Sequence, residues 1–60
     1  MNRHTEQMVD EKVVEIFTVY GNTQKAWQTV YDTIGEIGIE FAMYRYDKPS
    51  NVYIKTREVL

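Results

Sequence analysis

The chain has 60 residues, with seven Lys plus Arg, nine Asp plus Glu, one His and no Cys. This length allows one domain. The lack of cysteine excludes a disulfide scaffold and thiolate metal sites, and no apolar run is long enough for a membrane-spanning helix. The first seven residues lack the apolar core of a signal peptide, so we expect a cytoplasmic protein.

Residues 1–11 are polar and are predicted to form an N-terminal arm that precedes a single domain over residues 12–60. Residues 12–20 are rich in β-branched and aromatic side chains, which favours a first strand. A helix over the same region is the alternative, because a second set of apolar residues falls at helical spacing. That set consists of Met8, Val9, Val13, Ile16, Phe17 and Tyr20.

Residues 23–37 give the clearest helical pattern in the chain. Gly21 breaks the preceding element, and the side chain of Asn22 or Thr23 can accept a hydrogen bond from the first free amides of a helix. Gly38 suits the left-handed position just past the helix end, whereas Gly35 weakens the last turn. The apolar stripe of this helix consists of Ala26, Trp27, Val30, Ile34 and Ile37.

Residues 39–46 and 52–59 are predicted to form a hairpin, with turn residues at 47–51 between them. Alternation places two sets of side chains toward the helix. The first is Ile39, Phe41 and Met43, and the second is Val52, Ile54 and Thr56.

These elements predict an α+β fold in the order β-α-β-β, with one helix packed on a three-stranded antiparallel sheet. A right-handed first crossover places the last strand between the other two, which leaves both outer edges free. Free edges pair readily with another copy, and a domain this small buries only about 60% of its unfolded surface. We therefore expect a homodimer. The alternative fold is α-α-β-β, similar to a winged helix.

No residue grouping indicates an enzyme, a metal centre or a bound cofactor. His4 is the only histidine and lies in the polar arm, and Ser50 has no neighbouring base to activate it. The carboxylate pairs of the chain fall on predicted polar faces, where solvated charge is the ordinary interpretation.

A cluster of aromatic and basic residues is the best candidate for a binding surface. Tyrosines are common in protein interfaces, so the favoured function is a small regulator or inhibitor that binds an unidentified protein target. Aromatic and basic side chains on a sheet also bind single-stranded nucleic acid, which is the alternative partner. The net charge of -2 favours the protein partner. The predicted surface consists of Tyr44, Tyr46, Tyr53, Lys55 and Arg57.

Two resemblances follow from this order of elements. The segment Lys12-Val13-Val14-Glu15-Ile16, followed by a helix and a hairpin, resembles the layout of dodecins, which are small flavin-binding oligomers. Dodecins stack flavin on a Trp of the second strand. Because that strand has Tyr44 and Tyr46 here, the resemblance implies a ligand-binding oligomer without a flavin site. If residues 8–20 are helical, the order resembles the end of a winged-helix DNA-binding domain, with Lys25 as the one cation of its recognition helix.

Overall fold

The computed structural model describes residues 2–57 and contains three helices, α1 (Arg3–Tyr20), α2 (Gln24–Ile34) and α3 (Glu36–Arg45), each of which contacts the other two. The predicted α+β fold with a three-stranded sheet is wrong, because the described residues contain no strand. The alternative α-α-β-β fold has two helices in common with the structure, but its hairpin is also missing from residues 2–57. The resemblance to dodecins fails for the same reason, because the dodecin layout requires these strands.

Helix α1 takes in most of the predicted arm as well as the predicted first strand. Asn2 caps it by accepting a hydrogen bond from the Thr5 N–H at 2.8 Å. Val13, Ile16 and Phe17 are buried at helical spacing. Poor helix propensity costs at most about 0.7 kcal/mol per residue, whereas burying such a side chain gains about 1.5–3 kcal/mol. Packing therefore outweighs the strand preference of residues 12–20.

Of the two predicted caps of α2, Asn22 and Thr23, the structure has Thr23, whose side chain accepts from the Ala26 N–H at 3.3 Å. Its end differs from the prediction, because α2 stops at Gly35 and α3 begins at the next residue. Gly35 has a φ of 90°, a backbone conformation that favours glycine. One residue therefore turns the chain from α2 into α3.

Helix α3 replaces the predicted strand over residues 39–46. Gly38, predicted to end a helix, instead lies buried inside α3 at the contact with α2. A Cβ atom at Gly38 would lie 2.7 Å from the Ile34 Cβ and 2.9 Å from the Val30 Cγ1. The side chain missing at Gly38 is therefore what allows α2 and α3 to approach closely.

The residues after α3 form a turn and an extended segment instead of a strand. The predicted alternation persists in this segment, since Val52 is buried and Ile54 half-buried while Tyr53 and Lys55 are exposed. Thr56 was predicted to face inward with Val52, but it is exposed. The remainder of the predicted second strand, residues 58–60, lies outside the described residues.

The core lies between the three helices and the start of the extended segment. The buried hydrophobic residues are Val13, Ile16, Phe17, Ala26, Trp27, Val30, Ala42 and Val52.

No helix within residues 2–57 combines the length and the apolar character needed to cross a membrane.

Candidate functional site

The five residues of the predicted binding surface do not share one face. Tyr44 lies on α3, and Tyr53, Lys55 and Arg57 lie on the extended segment, all with exposed side chains. Tyr46 is half-buried, and its ring stacks on Phe17 with centroids 4.1 Å apart and planes within 7°. The structure therefore separates Tyr44 from the row on the extended segment and packs Tyr46 against the core.

An open groove of about 610 Å³ lies between α1 and α3. We call it the α1–α3 groove. Its apolar part is formed by the half-buried Phe41 and by Tyr44, whose side chain is 88% exposed. Met43, the residue before Tyr44, is 59% exposed. The residues that line the groove are Glu6, Asp10, Glu40, Phe41, Tyr44 and Arg45.

An ion pair spans the groove and joins its two helices. The Arg45 guanidinium on α3 donates two hydrogen bonds to the two carboxylate oxygens of Asp10 on α1. Such bidentate pairs have the geometry in which an exposed ion pair is most effective. Hydrogen bonding to Arg45 lowers the pKa of the Asp10 carboxyl below its ordinary value. The charges of this pair cancel, which leaves Glu6 and Glu40 as the net charge of the groove.

The Asp10–Arg45 pair predicts a specific pH dependence of stability. Because the folded-state pKa of Asp10 lies below the unfolded value of about 3.9, the pair stabilises the fold above that pH. This contribution disappears as the pH falls through the lowered folded-state pKa. We expect Asp10→Asn to lower the urea midpoint at neutral pH, and the gap to wild type to narrow below about pH 4. A gap of the same size at neutral and acidic pH would contradict this assignment.

Three side chains of α2 hold the extended segment by its backbone. The Gln24 side-chain amide accepts from the Tyr53 N–H at 2.8 Å and donates to the Tyr53 carbonyl. Gln28 does the same at Lys55, with distances of 2.7 and 3.0 Å. We call these two glutamines, together with Tyr31, the amide ladder.

The third rung of the ladder is Tyr31, whose hydroxyl accepts from the Arg57 N–H at 3.0 Å. The Gln28 Nε2 also donates to the Asp32 carboxylate at 3.0 Å. This second contact orients the Gln28 amide, since only the nitrogen can donate to a carboxylate. The ladder therefore recognises the main chain of every second residue and leaves the side chains of residues 53, 55 and 57 outside.

Asn22 connects this segment to the core. Its Oδ1 accepts from the Trp27 Nε1–H at 2.6 Å, and its Nδ2 donates to the Asp47 carbonyl at 2.8 Å. One side chain thus satisfies the indole of the buried Trp27 and anchors the chain where it leaves α3.

The lone histidine and the lone serine both lie at exposed positions. His4 is exposed in the first turn of α1, and Ser50 is exposed in the turn after α3. Within residues 2–57, no three His, Cys, Asp or Glu side chains come together in a group that could hold a metal ion.

The sequence contains a signal for the amide ladder, but the prediction of a sheet paired residues 52–59 with another strand instead of with α2. Gln24 and Gln28 are four residues apart on α2, so they share one face of the helix. They face a segment that alternates polar and apolar residues. The α1–α3 groove has no comparable local signal, because Asp10 and Arg45 are 35 positions apart in sequence.

No protein-family model matches the chain, and comparisons with curated proteins and with solved structures give no match. The candidate functions therefore rest on the geometry of the α1–α3 groove and the amide ladder.

Proposed function

We propose that the chain is a small non-enzymatic protein-binding module that acts in the cytoplasm as a regulator or inhibitor. Its binding site is the α1–α3 groove, and its partner presents a Lys or Arg beside an apolar side chain. The observation that carries this proposal is the 88% exposure of Tyr44 next to Phe41, inside an acidic rim.

The chemistry of the groove supports this choice of partner. Tyr44 and Phe41 offer apolar surface, and aromatic side chains are enriched in protein interfaces. Glu6 and Glu40 are exposed, and neither makes an ion pair within the described range of the chain. Their charge favours a cationic segment, and a guanidinium or ammonium group can also lie over the Tyr44 ring.

Selection of displayed random peptides against the folded chain tests the proposal. We expect the selected peptides to combine Lys or Arg with aromatic or aliphatic residues. Tyr44→Ala should weaken their binding by about tenfold or more, since a central aromatic contact contributes about 2 kcal/mol or more. The matched control is Tyr53→Ala, because Tyr53 is also a highly exposed tyrosine but lies outside the groove.

Two further results decide between partners. Glu6→Gln with Glu40→Gln should weaken peptide binding and reduce its dependence on salt. Peptides that bind equally well to Tyr44→Ala would contradict the proposal. Salt-sensitive binding of a single-stranded oligonucleotide that Tyr53→Ala removes would instead favour the nucleic-acid alternative, through the exposed row of Tyr53, Lys55 and Arg57.

A further inference from the structure

The contact between the amide ladder and the extended segment does not depend on which chain supplies the segment. Five hydrogen bonds join the segment to α2, and each of them ends on a main-chain N–H or carbonyl of residues 53, 55 or 57. The side-chain contribution comes from Val52, which is buried, and from the half-buried Ile54. The site can therefore bind an extended strand that has apolar residues two positions apart.

The connection that keeps the segment on its own helix is short and weakly held. Residues 47, 48, 50 and 51 are exposed, and Pro49 is half-buried. Two hydrogen bonds fix this connection, one from Asn22 to the Asp47 carbonyl and one from the Val52 N–H to the Pro49 carbonyl. From residues 47–57, Val52 belongs to the hydrophobic core and Ile54 packs against it.

We propose that the segment 52–57 exchanges between two copies, so that the amide ladder of each copy binds the extended segment of the other. The occupant is a second copy because its segment reproduces every contact now made within one chain. Exchange of an identical element is a low-cost route to a two-fold dimer. Since the bonds are the same in both states, protein concentration decides the balance between them. This proposal does not rest on the α1–α3 groove.

A complementation experiment tests the exchange in the full chain. One variant, Gln24→Ala with Gln28→Ala, keeps an intact segment but loses the ladder amides. The other, Tyr53→Pro with Lys55→Pro, keeps the ladder but loses both N–H donors, and proline is compatible with the extended backbone. Neither variant can form a complete contact with itself. When they are mixed, the segment of the first fits the ladder of the second.

One variant is labelled with heavy nitrogen, and native mass spectrometry counts the two homodimers and the heterodimer. We expect the ratio of heterodimer to the geometric mean of the two homodimers to exceed its statistical value by about tenfold, because the heterodimer regains two hydrogen bonds that neither variant makes alone. The controls are Gln7→Ala, an exposed glutamine of α1, and Thr56→Pro, whose N–H does not bond to the ladder. Mixing the controls should give a statistical distribution.

Hydrogen exchange provides a second readout, measured at concentrations where most chains are paired. In the ladder variant the N–H groups of Tyr53 and Lys55 have lost their acceptors, and they should gain protection when the proline variant is added. A statistical heterodimer share without added protection would overturn the proposal. So would a wild-type chain that remains monomeric at millimolar concentration in sedimentation.

Discussion

Replacing Trp27 with Ala is expected to leave the chain largely unfolded. The Trp27 side chain is completely buried, and its ring meets Phe17 edge to face at 5.1 Å between centroids. Removing a buried aromatic side chain of this kind costs about 3–5 kcal/mol. In a chain of 60 residues a single hydrophobic core rarely supplies more than about 3–5 kcal/mol of stability. This one substitution therefore removes most or all of the stability.

Far-UV circular dichroism and urea titration measure this effect. Trp27→Ala should lose most of its helical signal or unfold at far lower urea than wild type. The urea midpoint of Trp27→Phe should lie between those of Trp27→Ala and wild type. This variant keeps an aromatic ring but leaves the Asn22 Oδ1 without the indole donor. The exposed Tyr53 provides the matched control, and Tyr53→Ala should unfold close to wild type. A Trp27→Ala chain with a wild-type urea midpoint would contradict the described core.

Replacing Gly38 with Ala is expected to destabilise the chain, although the same change at an exposed helical position stabilises by about 1 kcal/mol. The new Cβ would lie 2.7 Å from the Ile34 Cβ, which is attached directly to the backbone and cannot rotate away. Helices α2 and α3 must therefore move apart. Overpacking of this kind costs about 1–3 kcal/mol.

Thermal and urea unfolding of Gly38→Ala test the close approach of the two helices. The control is Met43→Ala, also in α3, whose side chain is exposed and whose replacement should change stability little. An increase in stability for Gly38→Ala would mean that α2 and α3 pack less closely than described. Near-ultraviolet spectra report on the packing around Trp27 in the same samples.

Helix α2 could be predicted from the sequence because its signals are local and agree with one another. The Thr23 cap and the apolar stripe around Trp27 both indicate a helix that starts where α2 starts. Its end could not be predicted, since Gly35 and Gly38 both satisfy the rules for a helix stop. What distinguishes them is the contact with Ile34 and Val30, which only the folded chain reveals.

The predicted strands failed because short apolar runs carry two periodicities at once. Ile39, Phe41 and Met43 alternate as in a strand, but Gly38 and Ala42 also lie four residues apart and are both buried in α3. Residues 12–20 posed the same ambiguity, and β propensity favoured the wrong choice. In both regions packing between helices decided the outcome, and packing is not a local property of the sequence.

The candidate site was predictable only in part. The alternation that exposes Tyr53 and Lys55 is a property of any extended segment, so it survived the loss of the sheet. The α1–α3 groove was missed because it combines Glu6 and Asp10 with residues of α3 that are distant in sequence. No pairing rule predicts such a contact before the helices have been placed.

The spacing of the amide ladder sets an upper limit on the length of strand it can hold. Four residues of helix advance about 6.0 Å, whereas two residues of an extended strand advance about 6.6 Å. With each step along the ladder, the helix side chain therefore falls behind the strand residue it should bond by about a tenth of that distance. The third rung is already a longer side chain, Tyr31, placed three residues after Gln28. Helix α2 ends at Ile34, and Gly35, the residue four positions after Tyr31, has no side chain to offer. The ladder should therefore bond the main chain of a bound strand at no more than three alternate residues.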